Sequence, residues 1–185
     1  MILQSLCDYY ERSLADPERN VAPEGWEWKG IHFLIVIDPQ GKFVRIEDTR
    51  ERSGTKLVPK KFLVPSLGEQ KGSGIKANLF WENAEYFLGV PTKENSKPER
   101  VKNQHEAFID KMTKFLSKEK IGEPVRNVLK AFTPQFLEEI SKCSVWEDLK
   151  KPDSLMAFKI EGLGVLTDLL EIRKAQVLDT EGLPI

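Results

Sequence analysis

The chain has 185 residues, of which 40% are hydrophobic and 31% charged, a balance typical of a globular protein with a core of its own. Its net charge of −1 argues against a generally basic nucleic-acid binder, and no apolar run approaches the ~20 residues that a membrane span needs. We therefore expect a cytoplasmic protein with no membrane partner, in which Cys7 and Cys143 are reduced thiols.

The average charge hides a local asymmetry. Residues 1–49 carry 5 Lys and Arg against 9 Asp and Glu, whereas residues 50–76 carry 7 basic residues against 2 acidic ones. A basic cluster of this kind creates a binding potential for anions even on a nearly neutral molecule.

The N-terminal region reads as a helix, a loop and a first strand. Apolar side chains recur at steps of three and four over residues 2–15, which predicts a helix. Residues 20–30 are predicted to form a loop that carries Trp26 and Trp28. Ile31 to Ile37 is mostly apolar and rich in β-branched residues, so it predicts a central strand.

Two further strands follow. The sequence Asp38-Pro39-Gln40-Gly41 suits a tight turn, and Phe43 to Ile46 predicts an antiparallel partner for the first strand. Leu57 to Val64 predicts a third strand, in which Pro59 indicates an edge position or a bulge. An antiparallel sheet is therefore expected at the core of residues 1–65.

The rest of the chain is predicted to be mainly helical. Asn78 to Leu88 predicts a helix that Gly89 ends at a C-cap position. Residues 96–117 predict a longer helix that opens with a capping box of Ser96 and Glu99. Further predicted elements are helices over residues 124–132, 134–143 and 167–175 and strands over residues 155–160 and 176–180.

These elements predict an α+β fold, with a small antiparallel sheet and flanking helices followed by a helical segment. A boundary near Asn95 would divide the chain into a sheet region with the basic loop (residues 1–95) and a mainly helical region packed on it (residues 96–185). Residues 181–185 have neither a charged tail nor a helix end, which indicates a chain that stops in mid-fold.

No constellation in the sequence assembles an active site. His32 and His105 lie within apolar patterns and lack carboxylate or Cys partners at the spacing of metal sites or triads. The adjacent carboxylates Glu47-Asp48 and Glu138-Glu139 diverge on a strand or helix, so they are interpreted as solvated surface. We therefore predict that the chain is not an enzyme and has no catalytic residues, no metal and no cofactor.

The strongest candidate site is the loop Lys71-Gly72-Ser73-Gly74-Ile75-Lys76. Its glycines allow the backbone to approach a ligand closely, while Lys71, Ser73 and Lys76 offer charge and a hydroxyl. If Asn78 opens a helix, its N-terminus favours a phosphate, and an Asn side chain can read base edges. Two candidates for phosphate contact on the preceding strand are Lys60 and Lys61.

Residue chemistry leaves other interpretations open. The same loop fits a plain surface loop whose following helix Asn78 caps, and it lacks the GxxxxGK[ST] pattern of a nucleotide-binding loop. The aromatic run that follows fits base stacking, but its helical spacing favours packing against the sheet. That run consists of Phe80, Trp81, Tyr86 and Phe87.

Several ordered motifs together resemble the large subunit of type I-C CRISPR surveillance complexes (Cascade), the Csd/Dvulg subtype family. The most specific is the segment from Lys71 to Gly89, KGSGIKANLFWENAEYFLG. Similar motifs lie on both sides: Ile2 to Tyr10, Trp26 to Lys29, Asp38 to Gly41, Phe62 to Pro65, Lys97 to Arg100, His105 to Phe108 and, more loosely, Phe158 to Gly162.

The resemblance implies a function in RNA-guided antiviral defence. The large subunit is expected to lie on the side of the guide RNA's 5′ handle, contact the Cascade backbone subunits and recognise the protospacer-adjacent motif in double-stranded target DNA. It would help to open the duplex and recruit a helicase–nuclease effector that cuts the target DNA. Family members are longer, so the chain resembles their N-terminal portion, and Lys71 stands where the family pattern has an arginine.

The resemblance together with residue chemistry assigns DNA contact to Lys71, Ser73, Lys76 and Asn78, with Lys60 and Lys61 positioning phosphates. Two rival hypotheses remain: an assembly module that docks on a protein without reading DNA, and a nucleotide-processing enzyme that uses the glycine loop.

Overall fold

The computed structural model describes residues 2–14, 19, 21–66, 74–118 and 120–181. Within these ranges the chain has an α+β fold, which confirms the predicted class. The helices are α1 (Ile2–Leu14), α2 (Ala84–Phe87), α3 (Pro98–Leu116), α4 (Glu123–Arg126), α5 (Pro134–Ser141), α6 (Trp146–Leu149) and α7 (Leu170–Glu181), with 3₁₀ turns at Asn127–Ala131 and Leu166–Asp168. None of the helices in this part of the chain is long and apolar enough to cross a membrane.

The strands form one central sheet and two small ones. They are β1 (Trp26–Gly30), β2 (Phe33–Ile37), β3 (Phe43–Asp48), β4 (Glu51–Ser53), β5 (Lys56–Val58), β6 (Lys61–Pro65), β7 (Trp81–Glu82), β8 (Met156–Ile160) and β9 (Gly164–Val165). The central sheet has the order β3-β2-β8-β7, with β9 paired to β8. The pairs β1–β6 and β4–β5 stand apart from it.

The predicted hairpin of β2 and β3 is confirmed. The two strands pair antiparallel with Ile35 opposite Ile46. The turn between them is fixed by the Asp38 carboxylate, which accepts the backbone N–H groups of Gln40 and Lys42 at 2.9 Å each. Such a side-chain bond explains why Asp suits the first turn position.

The predicted antiparallel sheet of residues 1–65 is wrong in two respects. The other neighbour of β2 is β8, and this central pair is parallel, with Ile35 opposite Phe158. The predicted third strand divides at Pro59 into β5 and β6, because proline donates no ladder hydrogen bond. The loop predicted over residues 20–30 contains β1, which pairs with β6 rather than joining the central sheet.

A single aromatic cluster lies between the central sheet and the helices. The rings of Phe87 and Phe158 have centroids 4.6 Å apart, and Phe108 lies 5.3 Å from Phe87. Edge-to-face and tilted pairs of this kind stabilise a core by about 0.5–1.5 kcal/mol each beyond area burial. Residues on both sides of Asn95 share this core, and the division into two regions stays a prediction.

Two predicted features of the helical region are corrected, one at each end. The strand predicted over residues 176–180 is part of α7. The capping box of Ser96 and Glu99 is absent from α3, whose N-cap is Lys97 with no side-chain cap bond. Ser96 instead donates its hydroxyl hydrogen to the Glu85 carboxylate at 2.6 Å, and so it ties α2 to the start of α3.

Candidate nucleic-acid interface

The predicted loop lies between β6, which pairs with β1, and β7 of the central sheet. Lys71 and Ser73 lie outside the described residues, which resume at Gly74. Lys76 is exposed, and a side-chain atom added at Gly74 would meet nothing within 4 Å. The C-terminal limb of the loop is therefore open to an approaching ligand at these two positions.

Two hydrogen bonds fix the limbs of this loop, the segments through Pro65 and Ala77. The indole N–H of Trp81 donates to the carbonyl oxygen of Pro65 at 2.9 Å, which joins the end of β6 to β7. The Lys111 ammonium, on α3, donates to the carbonyl oxygen of Ala77 at 2.9 Å. The structure thus holds both limbs in place on the folded domain.

Asn78 does not open a helix, so the prediction of a helix N-terminus beside the loop is wrong. Residues 81–82 form β7, and α2 begins only after Asn83, whose Oδ1 accepts the N–H groups of Glu85 and Tyr86. Asn78 is only 6% exposed, and its backbone N–H donates to Glu82 Oε1 at 2.9 Å. A direct role for its side chain in reading bases stays a prediction, and its burial counts against that role.

Glu82 organises this turn and was missed by the sequence reasoning. It is 1% exposed, and its carboxylate also accepts the N–H of Asn83 at 3.1 Å, so it binds backbone on both sides of itself. Buried carboxylates require hydrogen-bond partners, because desolvation of an unpaired charge is costly. In sequence Glu82 resembled an ordinary exposed residue of the predicted helix, so no local signal marked it.

Phe80 adopts a left-handed backbone with φ of 70°. A bulky residue in this region costs about 1–3 kcal/mol and persists only where the surroundings impose it. Its ring is fully buried and packs edge-on against Phe115, with centroids 5.2 Å apart. This packing turns the chain from the loop into β7.

The aromatic run has the structural role that its spacing favoured. Phe80, Trp81, Tyr86 and Phe87 are each at most 4% exposed. Their burial leaves no ring face of the run free to stack on a base, and it confirms the interpretation that these residues pack in the core.

Lys60 and Lys61 lie at the other end of β6. Both are exposed and border a surface cavity of about 470 Å³, which also touches Arg52 and Ser53 of the β4–β5 hairpin. The Lys60 ammonium lies 5.7 Å from the centre of the Phe62 ring. The structure therefore separates these lysines from the loop by the length of one strand.

Arg50, also in the basic stretch, is held by carboxylates. Its guanidinium contacts Asp48 at 2.7 Å and Asp148 at 2.9 Å and lies 4.6 Å from the centre of the Phe33 ring. The hydrogen bond from Arg50 keeps the pKa of the Asp48 carboxyl below its ordinary value. Arg50 thus serves the fold, and the exposed lysines remain as the candidates for ligand contact.

Both histidines bond to the backbone. Nδ1 of His32 accepts the N–H of Leu155 at 3.1 Å, and burial lowers the pKa of His32. Nδ1 of His105 lies 2.8 Å from the Tyr86 carbonyl oxygen, to which its N–H donates. Among the residues whose positions are described, no group of three or more His, Cys, Asp or Glu could hold a metal ion.

Comparison with known proteins identifies one family. The family model described as CRISPR-associated protein (Cas_Csd1) matches residues 6–178. No curated protein matches the chain.

Proposed function

Since the chain belongs to the CRISPR-associated Csd1 family of type I-C systems, we propose that it recognises the protospacer-adjacent motif in double-stranded target DNA. It would act as part of the large subunit of Cascade in the cytoplasm and support R-loop formation directed by the guide RNA. Its partners would be the Cascade backbone subunits, the 5′-handle side of the guide RNA and a helicase–nuclease effector. The effector cuts, and the chain itself catalyses no reaction. In such systems the protein reads a short motif and base pairing reads the remaining sequence.

The observation that carries this proposal is the pinned, basic loop. The bonds from Trp81 to Pro65 and from Lys111 to Ala77 hold its limbs, and Lys76 is exposed beside them. Pre-organised contacts lose less conformational entropy on binding than contacts from an untethered segment. The return limb therefore holds Lys76 at a fixed place on the surface.

Lys60, Lys61 and Lys76 supply positioning rather than sequence readout. An ammonium group that neutralises a phosphate releases a counterion, and each such contact adds about 0.9 to the slope of log affinity against log salt. Lys60, Lys61 and Lys76 are exposed and suit this role. Base readout is assigned to Lys71 and Ser73 of the loop. Asn78 would join them if DNA binding exposes its side chain.

The test is a DNA-binding titration of the complex reassembled with its guide RNA, using one duplex with the motif and one in which the motif is scrambled. Lys60→Gln and Lys76→Gln should each weaken both duplexes and reduce the salt slope by about 0.9. Asn78→Ala should weaken the motif duplex selectively, by about 1–3 kcal/mol if Asn78 makes a bidentate base contact.

Lys142→Gln is a matched control, because it removes one exposed positive charge from α5, where Lys142 pairs with Glu138 at 2.6 Å. Its salt slope should equal that of the wild type. If Asn78→Ala loses equal affinity for both duplexes, Asn78 does not read bases. Unchanged binding for every lysine variant would reject DNA contact by this face.

A second candidate function is an assembly module that does not read DNA. It is favoured by the outer face of α1, where Leu6, Tyr9 and Tyr10 are each more than half exposed. Apolar side chains grouped on one helix face are typical of protein contacts. If Lys71→Gln/Lys76→Gln leaves DNA binding intact but Leu6→Ser releases the chain from the other subunits, this function replaces the first.

A further inference from the structure

A second group of lysines lies on α3 and just beyond its end. Lys111 and Lys114 are three residues apart and share one face of α3, and Lys118 follows its C-cap Ser117. They line a cleft of about 270 Å³, here called the basic cleft. Its other lining residues are Pro65, Ser66, Leu79, Phe115 and Gln176.

The lysines of the basic cleft are held at different points of its wall. The Lys118 ammonium lies 4.1 Å from the centre of the Phe115 ring and 3.5 Å from the Ala175 carbonyl oxygen. Lys111 is anchored on Ala77, while Lys114 is exposed. The cleft therefore combines three positive charges with an apolar floor, an arrangement that attracts anions and lowers the dielectric constant around them.

The basic cleft borders both limbs of the loop. Ser66 is the last described residue before the loop, and Ala77 on the return limb is bonded to Lys111. The cleft therefore adjoins both described ends of the loop. Gln176, on α7, also lines it, and its Oε1 atom is buried with no hydrogen-bond partner in the described part of the chain. A bound water can satisfy this acceptor, whereas a phosphodiester has no donor to offer it, so the charge of the cleft rests on its lysines.

We propose that the basic cleft binds phosphate groups of the target-DNA backbone. This inference rests on the proposed function, because the loop that borders the cleft is its DNA-contacting element. It adds a site on a helix outside the basic stretch of residues 50–76. Phosphate contacts of this kind fix the register of a protein on the duplex and carry no sequence information.

The test measures how the DNA affinity of the complex reassembled with its guide RNA depends on salt, from about 50 to 200 mM. The variants are Lys114→Gln and Lys114→Gln/Lys118→Gln, which leave the Lys111 bond to Ala77 in place. We expect the slope of log affinity against log salt to fall by about 0.9 for the single variant and about 1.8 for the double variant. The preference for the motif duplex should be unchanged.

The matched control is Lys102→Gln on the same helix. Lys102 lies on the opposite face of α3 and forms an exposed pair with Glu106, so this variant removes the same charge away from the cleft. Its slope should equal that of the wild type. Because Lys114 is exposed, the single variant should fold normally, which a thermal melt would verify.

The outcomes separate this inference from the proposed function. If Lys76→Gln reduces the slope and the Lys114→Gln/Lys118→Gln variant does not, the basic cleft is rejected and the proposed function stands. If the double variant, Lys76→Gln and Lys60→Gln all leave the slope unchanged, both the cleft and the proposed function fail. If the double variant loses guide RNA while its DNA affinity is unchanged, the cleft holds RNA and the assignment to target DNA is wrong.

Discussion

Replacing Glu82 tests whether its carboxylate organises the return limb of the loop. The side chain is 1% exposed and accepts the backbone N–H groups of Asn78 at 2.9 Å and Asn83 at 3.1 Å. Glu82→Ala removes the acceptor of both groups. A buried donor left without a partner costs about 1–3 kcal/mol, and entry of water offsets part of it, so we expect a loss of about 2–4 kcal/mol.

Glu82→Gln separates hydrogen bonding from side-chain volume. Glutamine retains one carbonyl acceptor but places an NH₂ donor where the second oxygen accepted a bond. The NH₂ group then faces a backbone N–H, which is also a donor. We expect a loss of about 1–3 kcal/mol, smaller than that of Glu82→Ala. Glu106→Gln is the control, since Glu106 is largely exposed on α3 and should shift stability by no more than about 0.5 kcal/mol.

The assay is urea unfolding followed by circular dichroism, together with a thermal melt. For a chain of this size a loss of 1 kcal/mol lowers Tm by about 2–4 °C, so Glu82→Ala should melt roughly 4–16 °C below the wild type. A variant that melts with the wild type would contradict this prediction, because it would show that the two N–H groups do not depend on this carboxylate.

Two further predictions concern a turn and a titrating side chain. Gly41 has φ of +88°, and an added Cβ would collide with the Asn127 carbonyl oxygen, so Gly41→Ala should lower stability by more than about 2 kcal/mol in a thermal melt. The control is Gly54→Ala, where φ is +62° and the space is open, and about 1 kcal/mol is expected. Equal shifts for the two variants would contradict this prediction. His32 has a lowered pKa, chiefly through burial, so its folded state binds fewer protons than the unfolded chain, and stability should fall as pH drops below about 6.5. Because protonation of Nδ1 breaks the bond from Leu155, His32→Gln should flatten urea stability between about pH 5 and 7, and an unchanged profile would show that another group titrates.

The sequence predicts those parts of the fold whose cause is local. The β2–β3 hairpin was predictable because Asp38 and Gly41 carry the turn chemistry and lie next to each other. The stop after α2 was predictable because Gly89 takes a left-handed φ of 68°, as a residue just beyond a helix end often does. Neither feature depends on a distant partner.

The errors arise where a distant segment decides the structure. The pairing of β2 with β8 joins residues more than 100 positions apart, and nothing in either strand specifies the other. Residues 78–88 have a helical period, but the helix forms only over residues 84–87. Pairing with β8, a distant segment, places Trp81 and Glu82 in a strand instead.

The candidate interface in the structure also differs in shape from the one that the sequence suggests. In sequence, residues 50–76 form one basic stretch, but in the structure β6 separates Lys60 and Lys61 from the limbs of the loop. Four steps of about 3.3 Å place the two ends of that strand ~13 Å apart. The basic cleft then continues the positive surface onto α3 with residues from another part of the chain. The positive charge therefore lies in two clusters at opposite ends of β6 rather than in one pocket, and two clusters suit a polyanion that runs past the protein better than a single bound phosphate.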